Sequence, residues 1–427
     1  MSLKMSLGIL AAYLGTFVAS VSAASDDASK YKIGTWGNFA QGAISHTFDD
    51  NMNMDPTKPE QTAFNDKKFH ITLFVITGQS PNWKNCQGSF AKGHEIGSHS
   101  VSHGNPSPSS EYSPSQKAIQ QNVPGEKCVT YAYPNCSNPG GATKVFIAAR
   151  TCESSTPNSK SPSDWGNIQS KGFGSPHYSN DANSMNSYAN AAASSNGWGV
   201  GLHHGIGNQS HSWATTNLNE MKTHLDYLDK NRNKIWMETF GNVARYIQER
   251  DKAKITAKAT TDNSFTITVD AAGLDTSIFN YPLCIRREMP SGWTTPKVTQ
   301  NGKEVKDTII TDGSKKFIQF DAVPNGGDVV LSSGSTSSYE KYYGFSALET
   351  APVKRVNATL IIDPNRFNGA NVNVVLFNLQ GRERIRYRFT SSKSNIIIPL
   401  EKFNHSALIV KVAGGSKSYM RTCLPQP

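Results

Sequence analysis

The feature that most constrains the fold is a regular alternation along the first half of the chain. From Lys30 to about Arg250, short apolar runs alternate with polar, Gly- or Ser-rich, or helix-like stretches. Runs that are apolar throughout are typical of strands buried on both faces of a parallel sheet. The runs are AISHTF (43–48), ITLFVIT (71–77), HEIGSH (94–99), VTYAYP (129–134), KVFIAAR (144–150), WGVGLHH (198–204) and IWMETF (235–240). This rhythm predicts an α/β domain over residues 30–250, and both an incomplete (β/α) barrel and an open sheet fit it.

Beyond Arg250 the pattern changes to alternating strands without helices. The runs ITAKATTDNSFTITVDAAG, PLCIRRE, FIQFDAV and DVVLSSG are separated by turn pairs such as Asn301-Gly302 and Asn325-Gly326, as hairpins require. We predict a small accessory β-sandwich over residues 251–333. A Ser- and Gly-rich stretch at 334–350 reads as a linker, and residues 351–427 as a third, all-β domain.

The first residues have the character of a secretory signal. Lys4 precedes an apolar run from Leu7 to Val21, and Val21-Ser22-Ala23 offers the small residues that a signal peptidase accepts. The run is shorter than the ~20 residues that a spanning helix needs. We therefore predict a cleaved signal at residues 1–23, no transmembrane anchor, and a secreted or cell-surface location.

Cysteine usage agrees with export. Six cysteines in an exported chain favour disulfides over reactive thiols, and four of them fall in one stretch: Cys86, Cys128, Cys136 and Cys152. We expect pairing among these four, although the sequence does not choose the connectivity. No CxxC or Cys/His zinc-finger spacing occurs, so cysteine is not the expected metal ligand.

The formal charge of +10 is spread along the chain, apart from one arginine series on a single apparent strand: Arg382, Arg384, Arg386 and Arg388. Alternation places all four on one solvated face of that strand. The sequence has no basic helix and no recognised nucleic-acid-binding motif, so we expect no nucleic-acid partner.

Two carboxylates follow the first apolar run of the α/β region. The run ends in Thr47-Phe48-Asp49-Asp50-Asn51. Side chains on a regular strand alternate, so both aspartates reach one pocket only if the chain turns there. Asn51 suits such a turn because asparagine tolerates positive φ. Taken alone, the pattern also fits a helix cap or a solvated loop.

Histidines follow two further runs. His99 and His103 come after HEIG, and a helical turn would point both imidazoles from one face. With a carboxylate from the Asp-Asp pair they would make a two-His-one-carboxylate metal site. The run WGVGLHH ends in His203 and His204. Strand alternation puts His204 on the same face as Leu202, so we assign His204 to the cleft and His203 to the core.

These motifs resemble those of a known family. TFDD at 47–50, GHEIGSHSVSH at 93–103, YAYPNC at 131–136 and LHHGI at 202–206 are similar, in order and spacing, to the motifs of polysaccharide deacetylases with a NodB homology domain, carbohydrate esterase family four. The resemblance covers roughly residues 30–250 and extends to IWMETFGNVARYIQER. It implies a distorted (β/α) barrel of NodB-homology type, followed here by the two small sandwich-like all-β domains.

The resemblance also implies roles for individual residues. Asp50, His99 and His103 correspond to the ligands of a divalent metal. Zn²⁺ is the expected ion, and Co²⁺ or another divalent ion is the alternative. Asp49 corresponds to the catalytic base and His204 to the general acid, while Leu202 lines the pocket. The backbone N–H of Asn135 would help to bind the oxyanion. The implied activity is removal of N- or O-linked acetyl groups from a polysaccharide: acetyl xylan, a chitin-type glycan or peptidoglycan.

The chain departs from the family pattern at Ala132. Many members carry an arginine there that orients the base, so the sequence leaves Asp49 without its expected partner. This departure and the appended β domains motivate an alternative, a catalytically impaired carbohydrate-binding or cell-surface module. A glycosidase is a third hypothesis, but it would leave His99 and His103 without a role.

The C-terminal domain bears a weaker resemblance of its own. VNVVLFNLQGRERIRYRF followed by ALIVKV is similar to the sorting domains of bacterial type IX secretion. That resemblance implies secretion machinery as a partner. A purely structural β-sandwich is the competing interpretation.

Overall fold

The structure, a computed structural model, describes most of the chain from Asp27 onwards. It covers residues 27–104, 108–152, 154–209, 212–261 and 264–334, and then the segments 353–356, 359–367, 371–378, 382–390, 395–400, 408–414 and 417–423. The predicted signal at 1–23 and nearly all of the predicted linker at 334–350 lie outside these residues. The chain divides into two compact units, with the boundary between Gly334 and Ser335.

Within the described residues, the first unit contains six α-helices and nineteen strands. The helices are α1 Pro59–Asn65, α2 Trp83–Phe90, α3 Ser113–Asn122, α4 Ala182–Ser194, α5 Leu218–Lys230 and α6 Phe240–Lys252. The strands up to α6 are β1 Tyr31–Ile33, β2 Gly42–Phe48, β3 Thr72–Val75, β4 Glu95–Ser98, β5 Thr130–Ala132, β6 Ala148–Arg150, β7 Lys171–Gly172, β8 Trp198–His203, β9 Gly205–Ile206, β10 Thr215–Thr216 and β11 Ile235–Met237. The strands after α6 are β12 Ala253–Thr261, β13 Ser264–Ala271, β14 Leu283–Glu288, β15 Thr295–Gln300, β16 Lys303–Val305, β17 Asp307–Asp312, β18 Lys315–Ala322 and β19 Val329–Gly334.

A parallel sheet forms the centre of this unit. Its order is β6-β5-β4-β3-β2-β8-β7, and β11 adds to β2. Every residue of β2, β3, β4 and β8 is buried, as expected for strands that helices cover. Each of the seven apolar runs coincides with one strand of this parallel sheet. These strands are β2, β3, β4, β5, β6, β8 and β11. The sheet is open, because β6 and β7 lie at opposite ends of its order.

Local sequence explains where several helices start. The side chains of Asn82, Asp181, Asn217 and Thr239 each accept a hydrogen bond from a backbone N–H in the first turn of the helix that follows. These caps satisfy donors that a helix cannot pair internally. They set the residues at which these four helices begin.

Two antiparallel sheets follow the helices and share a core with them. Their orders are β1-β14-β18-β17 and β12-β13-β19-β15-β16. The early strand β1 joins the first of them, pairing Ile33 with Ile285. One buried cluster runs from Trp198 and Phe240 of the α/β part to Phe265 and Leu331 of the sandwich. The two regions therefore bury their apolar faces against each other.

The second unit is also an antiparallel sandwich. Its strands are β20 Val353–Val356, β21 Thr359–Ile362, β22 Val372–Phe377, β23 Glu383–Phe389, β24 Ile396–Pro399, β25 Leu408–Gly414 and β26 Lys417–Cys423. They form the sheets β20-β21-β24 and β23-β22-β25-β26 around one apolar core. In β23 the arginines 384, 386 and 388 are exposed while Ile385, Tyr387 and Phe389 pack inward. The predicted solvated arginine face is confirmed for these three, while Arg382 lies just before the strand.

The predicted fold class, an α/β domain followed by two all-β regions, is confirmed, but one turn differs. Asn301 and Gly302 both have positive φ between the paired strands β15 and β16, as a tight hairpin requires. Asn325-Gly326 instead links β18 and β19, which belong to different sheets, so the hairpin expectation is wrong there. Among the described residues, no helix has both the length and the apolar character needed to cross a bilayer.

Candidate active site

Asp49 and Asp50 lie where β2 ends at the carboxyl edge of the parallel sheet. Asp50 and Asn51 both have positive φ, 64° and 56°. Asn51 holds this turn, because its side chain accepts from the N–H of Ile76 and donates to the same residue's carbonyl oxygen. The predicted turn is present, and it lets consecutive aspartates face one site. Backbone in this sparsely populated region is common at functional sites.

His99 directly follows β4, and His103 lies in the loop after it. This loop is not helical: Ser100 and His103 have φ of 70° and 62°. The predicted helical turn is therefore wrong. Glu111 fixes the loop instead, accepting hydrogen bonds from the N–H groups of Val101 and Ser102 and from the Ser102 hydroxyl. The two imidazoles still meet, with ring centroids 5.0 Å apart.

The side chains of Asp50, His99 and His103 converge. Each offers one ligand atom, and these atoms lie within 4.8 Å of one another. Oδ1 of Asp50 is 3.4 Å from Nε2 of His99 and 3.2 Å from Nε2 of His103. Burial raises the pKa of Asp50, but the imidazoles of His103 and His99 beside its carboxylate outweigh burial and hold that pKa below its ordinary value. The site therefore holds a carboxylate rather than a carboxylic acid.

His99 is oriented by the backbone of the neighbouring strand. It is only 2 % exposed, and its Nδ1 lies 2.8 Å from the carbonyl oxygen of Ala132. A carbonyl only accepts, so Nδ1 carries the proton and Nε2 is left with a free lone pair facing Asp50. Metal-binding histidines in proteins are held in this way.

The adjacent histidines at the end of β8 face opposite sides of the sheet. Nε2 of His204 lies 3.8 Å from Oδ2 of Asp50, and burial lowers the pKa of His204. Its Nδ1 is buried without a hydrogen-bond partner in the described part of the chain. His203 points away, into a layer beneath the helices. Leu202, 3 % exposed, alternates with His203 along the strand.

His203 belongs to a chain of buried hydrogen bonds. Thr216 Oγ1 contacts its Nδ1 at 2.9 Å, its Nε2 lies 2.9 Å from Nδ1 of His46, and Nε2 of His46 lies 3.1 Å from Nε2 of His224. The chain ends at the amide oxygen of Asn186, 2.7 Å from Nδ1 of His224. With that oxygen accepting, each ring donates from one nitrogen and accepts at the other, so all three are satisfied while neutral.

Glycine makes room for this chain. A Cβ on Gly201 would lie 3.0 Å from Nδ1 of His46 and 3.2 Å from Nε2 of His203. Burial lowers the pKa of His46 to about 3 and lowers those of His203 and His224 well below the ordinary value. The three imidazoles thus fix the ends of β2 and β8 to α5 without carrying charge.

Asp49 has a partner that the sequence analysis missed. Nη2 of Arg150, the last residue of β6, lies 2.5 Å from Oδ2 of Asp49. Both groups are almost fully buried, at 1 % and 3 % exposure. Ser170 and the carbonyl oxygen of Thr151 accept further hydrogen bonds from the guanidinium. The expectation that Asp49 lacks an arginine is therefore wrong.

Arg150 stands beside the position where the family motif has its arginine. Ala132 and Arg150 are register partners on β5 and β6, so the arginine is displaced by one strand. In a flat sheet, the four strand steps from β6 to β2 would separate the two residues by roughly 19 Å. Their contact means that the sheet is curled into a half-barrel. The run KVFIAAR carried the available clue, an arginine at a strand end.

A disulfide joins the two loops that flank this arginine. Cys136 pairs with Cys152, two residues after Arg150. Asn135, the predicted oxyanion residue, precedes Cys136 and has a φ of 52° in the turn after β5. The expected pairing among four cysteines is present for these two, while Cys86 and Cys128 are buried free thiols.

A family comparison places this geometry in context. Residues 37–148 match the polysaccharide deacetylase family. Over these residues the chain matches a polysaccharide deacetylase domain. The matched residues include Asp49, Asp50, His99 and His103, whereas Arg150 and His204 lie beyond them. The resemblance stated from the motifs is therefore confirmed for this part of the chain.

Individual relatives of the deacetylase domain are distant. A gellan lyase from Bacillus sp is 28 % identical over an alignment of 330 residues, and the match covers 70 % of this chain and 13 % of that protein. The chain thus spans a small part of that relative's length.

Solved structures with similarity include the Xyl-CE4 domain of a multidomain xylanase from the hindgut metagenome of Trinervitermes trinervoides, at 19 % identity and a TM-score of 0.34. It covers 47 % of this chain and 89 % of that one. A family 4 acetyl xylan esterase from Clostridium thermocellum, in complex with a cobalt ion, has 17 % identity and a TM-score of 0.32. The match covers 47 % of this chain and 89 % of that one. The peptidoglycan deacetylase PdaC from Bacillus subtilis has 13 % identity and a TM-score of 0.30. The match covers 49 % of this chain and 93 % of that one.

Proposed function

We propose that this protein is an extracellular, divalent-metal-dependent hydrolase that removes acetyl groups from a polysaccharide. The observation that carries the proposal is the convergence of Asp50, His99 and His103 beside an Asp49 paired with Arg150. Three ligands, a base held by a cation and a nearby histidine are the parts that metal-assisted hydrolysis needs.

The three converging residues fit a divalent metal such as Zn²⁺ or Co²⁺. Oδ1 of Asp50 is buried close to two ring nitrogens but accepts a well-formed hydrogen bond from neither, so a cation would satisfy it. Two imidazoles and one carboxylate suit zinc and related ions, and three protein ligands leave room for water and substrate. When bound, such an ion would polarise the acetyl carbonyl and make its water more acidic.

The remaining residues would handle protons and charge. Asp49, held by Arg150, would take a proton from the attacking water, and His204 would donate one to the departing nitrogen or oxygen. The N–H of Asn135 would hydrogen-bond the developing oxyanion. Leu202 would pack against the acetyl methyl group. Because Oδ1 of Asp49 accepts a hydrogen bond from no group among the described residues, that oxygen is free to accept the water proton.

Arg150 weakens the case for an impaired module. That alternative was motivated by Ala132, which removes the expected partner of the base. A buried arginine at its register partner supplies the same charge to Asp49. A glycosidase remains the less economical hypothesis, since it gives the two metal-site histidines no role.

The disulfide supports the extracellular part of the proposal. Disulfides persist in oxidising compartments, and Cys136–Cys152 lies beside the site. The sandwich of residues 251–333 would act as an accessory domain, and that of residues 351–427 as a secretion-related or structural domain.

Acetate release over a panel of polymers tests the proposal. The panel holds acetylated xylan, N-acetylchitooligosaccharides, peptidoglycan and gellan, the last because the curated relative is named for it. Zn²⁺- or Co²⁺-loaded protein should release acetate from at least one, and Asp50→Ala should release none. Asp226→Ala, an exposed carboxylate on α5, is the matched control and should keep full activity. Turnover that Asp50→Ala or chelation leaves intact would overturn the proposal.

A further inference from the structure

Trp213 is an exposed aromatic residue with an unusual neighbour. It is 55 % exposed, the most exposed aromatic side chain among the large apolar residues of the described chain. The ring of His177 stacks on it, with centroids 3.7 Å apart and an angle of 9° between the planes. His177 is itself exposed. One face of the indole is therefore braced by an imidazole, while much of the rest of the ring meets solvent.

The backbone places this pair at the same edge of the sheet as the active site. Ala214, next to Trp213, accepts a hydrogen bond from the N–H of Gly205, which follows His204. Gly205 and Thr215 are register partners in β9 and β10. With strands about 5 Å apart and residues about 3.3 Å apart, the backbone of Trp213 lies within roughly 10 Å of that of His204.

His177 reaches the same edge from the neighbouring strand. It lies in the connection after β7, which continues beyond Gly172, the register partner of Leu202. Ser175 and Thr215 form a bridge between the two connections. Two loops that leave adjacent strand ends therefore brace each other through the ring stack and this bridge.

Two further tryptophans, Trp83 and Trp165, do not offer such a surface. Trp83 is partly buried and packs against the core beneath α2, and Trp165 packs against the core shared with the sandwich. Both therefore fill space between elements, as tryptophan commonly does. Trp213 instead leaves part of its indole in contact with solvent, where a ligand can stack on it.

We propose that Trp213, braced by His177, is a platform that binds a pyranose ring of the polymer next to the sugar that carries the reacting acetyl group. The electron-rich face of an indole attracts the partly positive C–H groups on the flat face of a sugar ring. Bracing removes rotamer freedom before binding, so less entropy is lost when the sugar docks. The platform selects polymers over small acetyl esters. This inference rests on the proposed deacetylase function.

Kinetics on substrates of increasing length test the platform. Acetylated xylooligosaccharides, N-acetylchitooligosaccharides and 4-nitrophenyl acetate are compared for the wild type, Trp213→Ala, Trp213→Phe and His177→Ala. We expect Trp213→Ala to raise KM for the longer oligosaccharides about tenfold with kcat little changed. Trp213→Phe should keep part of the affinity, and kcat/KM on 4-nitrophenyl acetate should not change.

Ile309→Ala is the matched control, because Ile309 is another exposed apolar residue, on β17 of the sandwich. It should leave every substrate unaffected. Unchanged KM for all oligosaccharides in Trp213→Ala would overturn the platform while leaving the deacetylase function intact.

A binding measurement distinguishes failure of the platform from failure of the deacetylase function. Tryptophan fluorescence is followed as deacetylated oligosaccharides are added to the wild type and Trp213→Ala. A wild type that releases acetate from nothing would overturn the function. Quenching that depends on Trp213 would still support the platform, and identical titrations of the two proteins would overturn it.

Discussion

Arg150 contacts Asp49 from the far side of a curled sheet, at 2.5 Å between Nη2 and Oδ2. We expect Arg150→Ala to lower acetate release about 10²-fold per folded molecule, since a misplaced base costs about that much. It should also lower the free energy of unfolding by about 3 to 5 kcal/mol, because a buried carboxylate loses its partner. Acetate release and chemical denaturation measure the two effects separately.

A relocation variant gives the sharper test of this pair. Ala132 and Arg150 are register partners, so the double variant Ala132→Arg with Arg150→Ala returns the arginine to the family position. It should recover much of the activity that Arg150→Ala loses. Lysine at 150 should recover less, since it cannot reproduce the planar fork of guanidinium. Equal activity of wild type and Arg150→Ala would contradict the assigned role.

His203 and His204 should respond to substitution in opposite ways. His204→Ala is expected to remove most of the about 10²- to 10⁴-fold that a positioned general acid supplies, with bound metal unchanged. His203→Ala should instead destabilise the fold by about 2 to 5 kcal/mol, because it leaves Nδ1 of His46 and the Thr216 hydroxyl without partners and opens a cavity. Bound metal, acetate release and denaturant unfolding are measured for both variants to test these expectations. An essential His203 with a dispensable His204 would mean that the strand register is off by one.

The buried histidine chain predicts acid sensitivity. Burial lowers the pKa of His46 to about 3 in the folded protein, against about 6.5 in the unfolded chain. Between these values the unfolded chain binds more protons, so stability is complete above about pH 6.5 and is lost as the pH falls toward 3. Denaturant unfolding across this range should show a smaller loss in His46→Gln. A pH dependence identical to that of wild type would argue against a neutral, buried His46.

Glu249 predicts the opposite pH dependence, with the free energy of unfolding falling as the pH rises. This carboxyl on α6 is fully buried, and burial raises its pKa to about 8. The folded protein therefore binds the extra proton between about pH 4.5 and 8, and stability falls as the pH rises through that range. Glu249→Gln should remove this fall while keeping an oxygen to accept the Tyr281 N–H. Glu304→Gln, exposed on β16, is the control and should keep the wild-type slope.

Much of the α/β architecture followed from local pattern. The seven apolar runs predict strands of the parallel sheet. Polar residues at the ends of the runs predict a site at one edge of that sheet, because ligands bind at the carboxyl ends of parallel strands. Asp49, Asp50, His99 and His204 were found in this way. Alternation on β8 was enough to separate His203 from His204.

Features that depend on distant parts of the chain were missed. Arg150 reaches Asp49 only because the sheet curls, and no local spacing encodes that curvature. The turn at His103 is set by Glu111 from a later segment rather than by helix propensity. Strand β1 joins the sandwich more than 250 residues away in sequence, at Ile285, which periodicity over three residues cannot indicate.

The central claim is that Asp50, His99 and His103 hold a divalent metal that the reaction requires. Metal-free protein is titrated with Zn²⁺ or Co²⁺ while acetate release from the best panel substrate is followed. Activity should rise linearly and stop at about one equivalent per chain, and His103→Ala should need far more metal to respond. Full activity in the metal-free protein, or activation that His103→Ala leaves unaltered, would contradict the account.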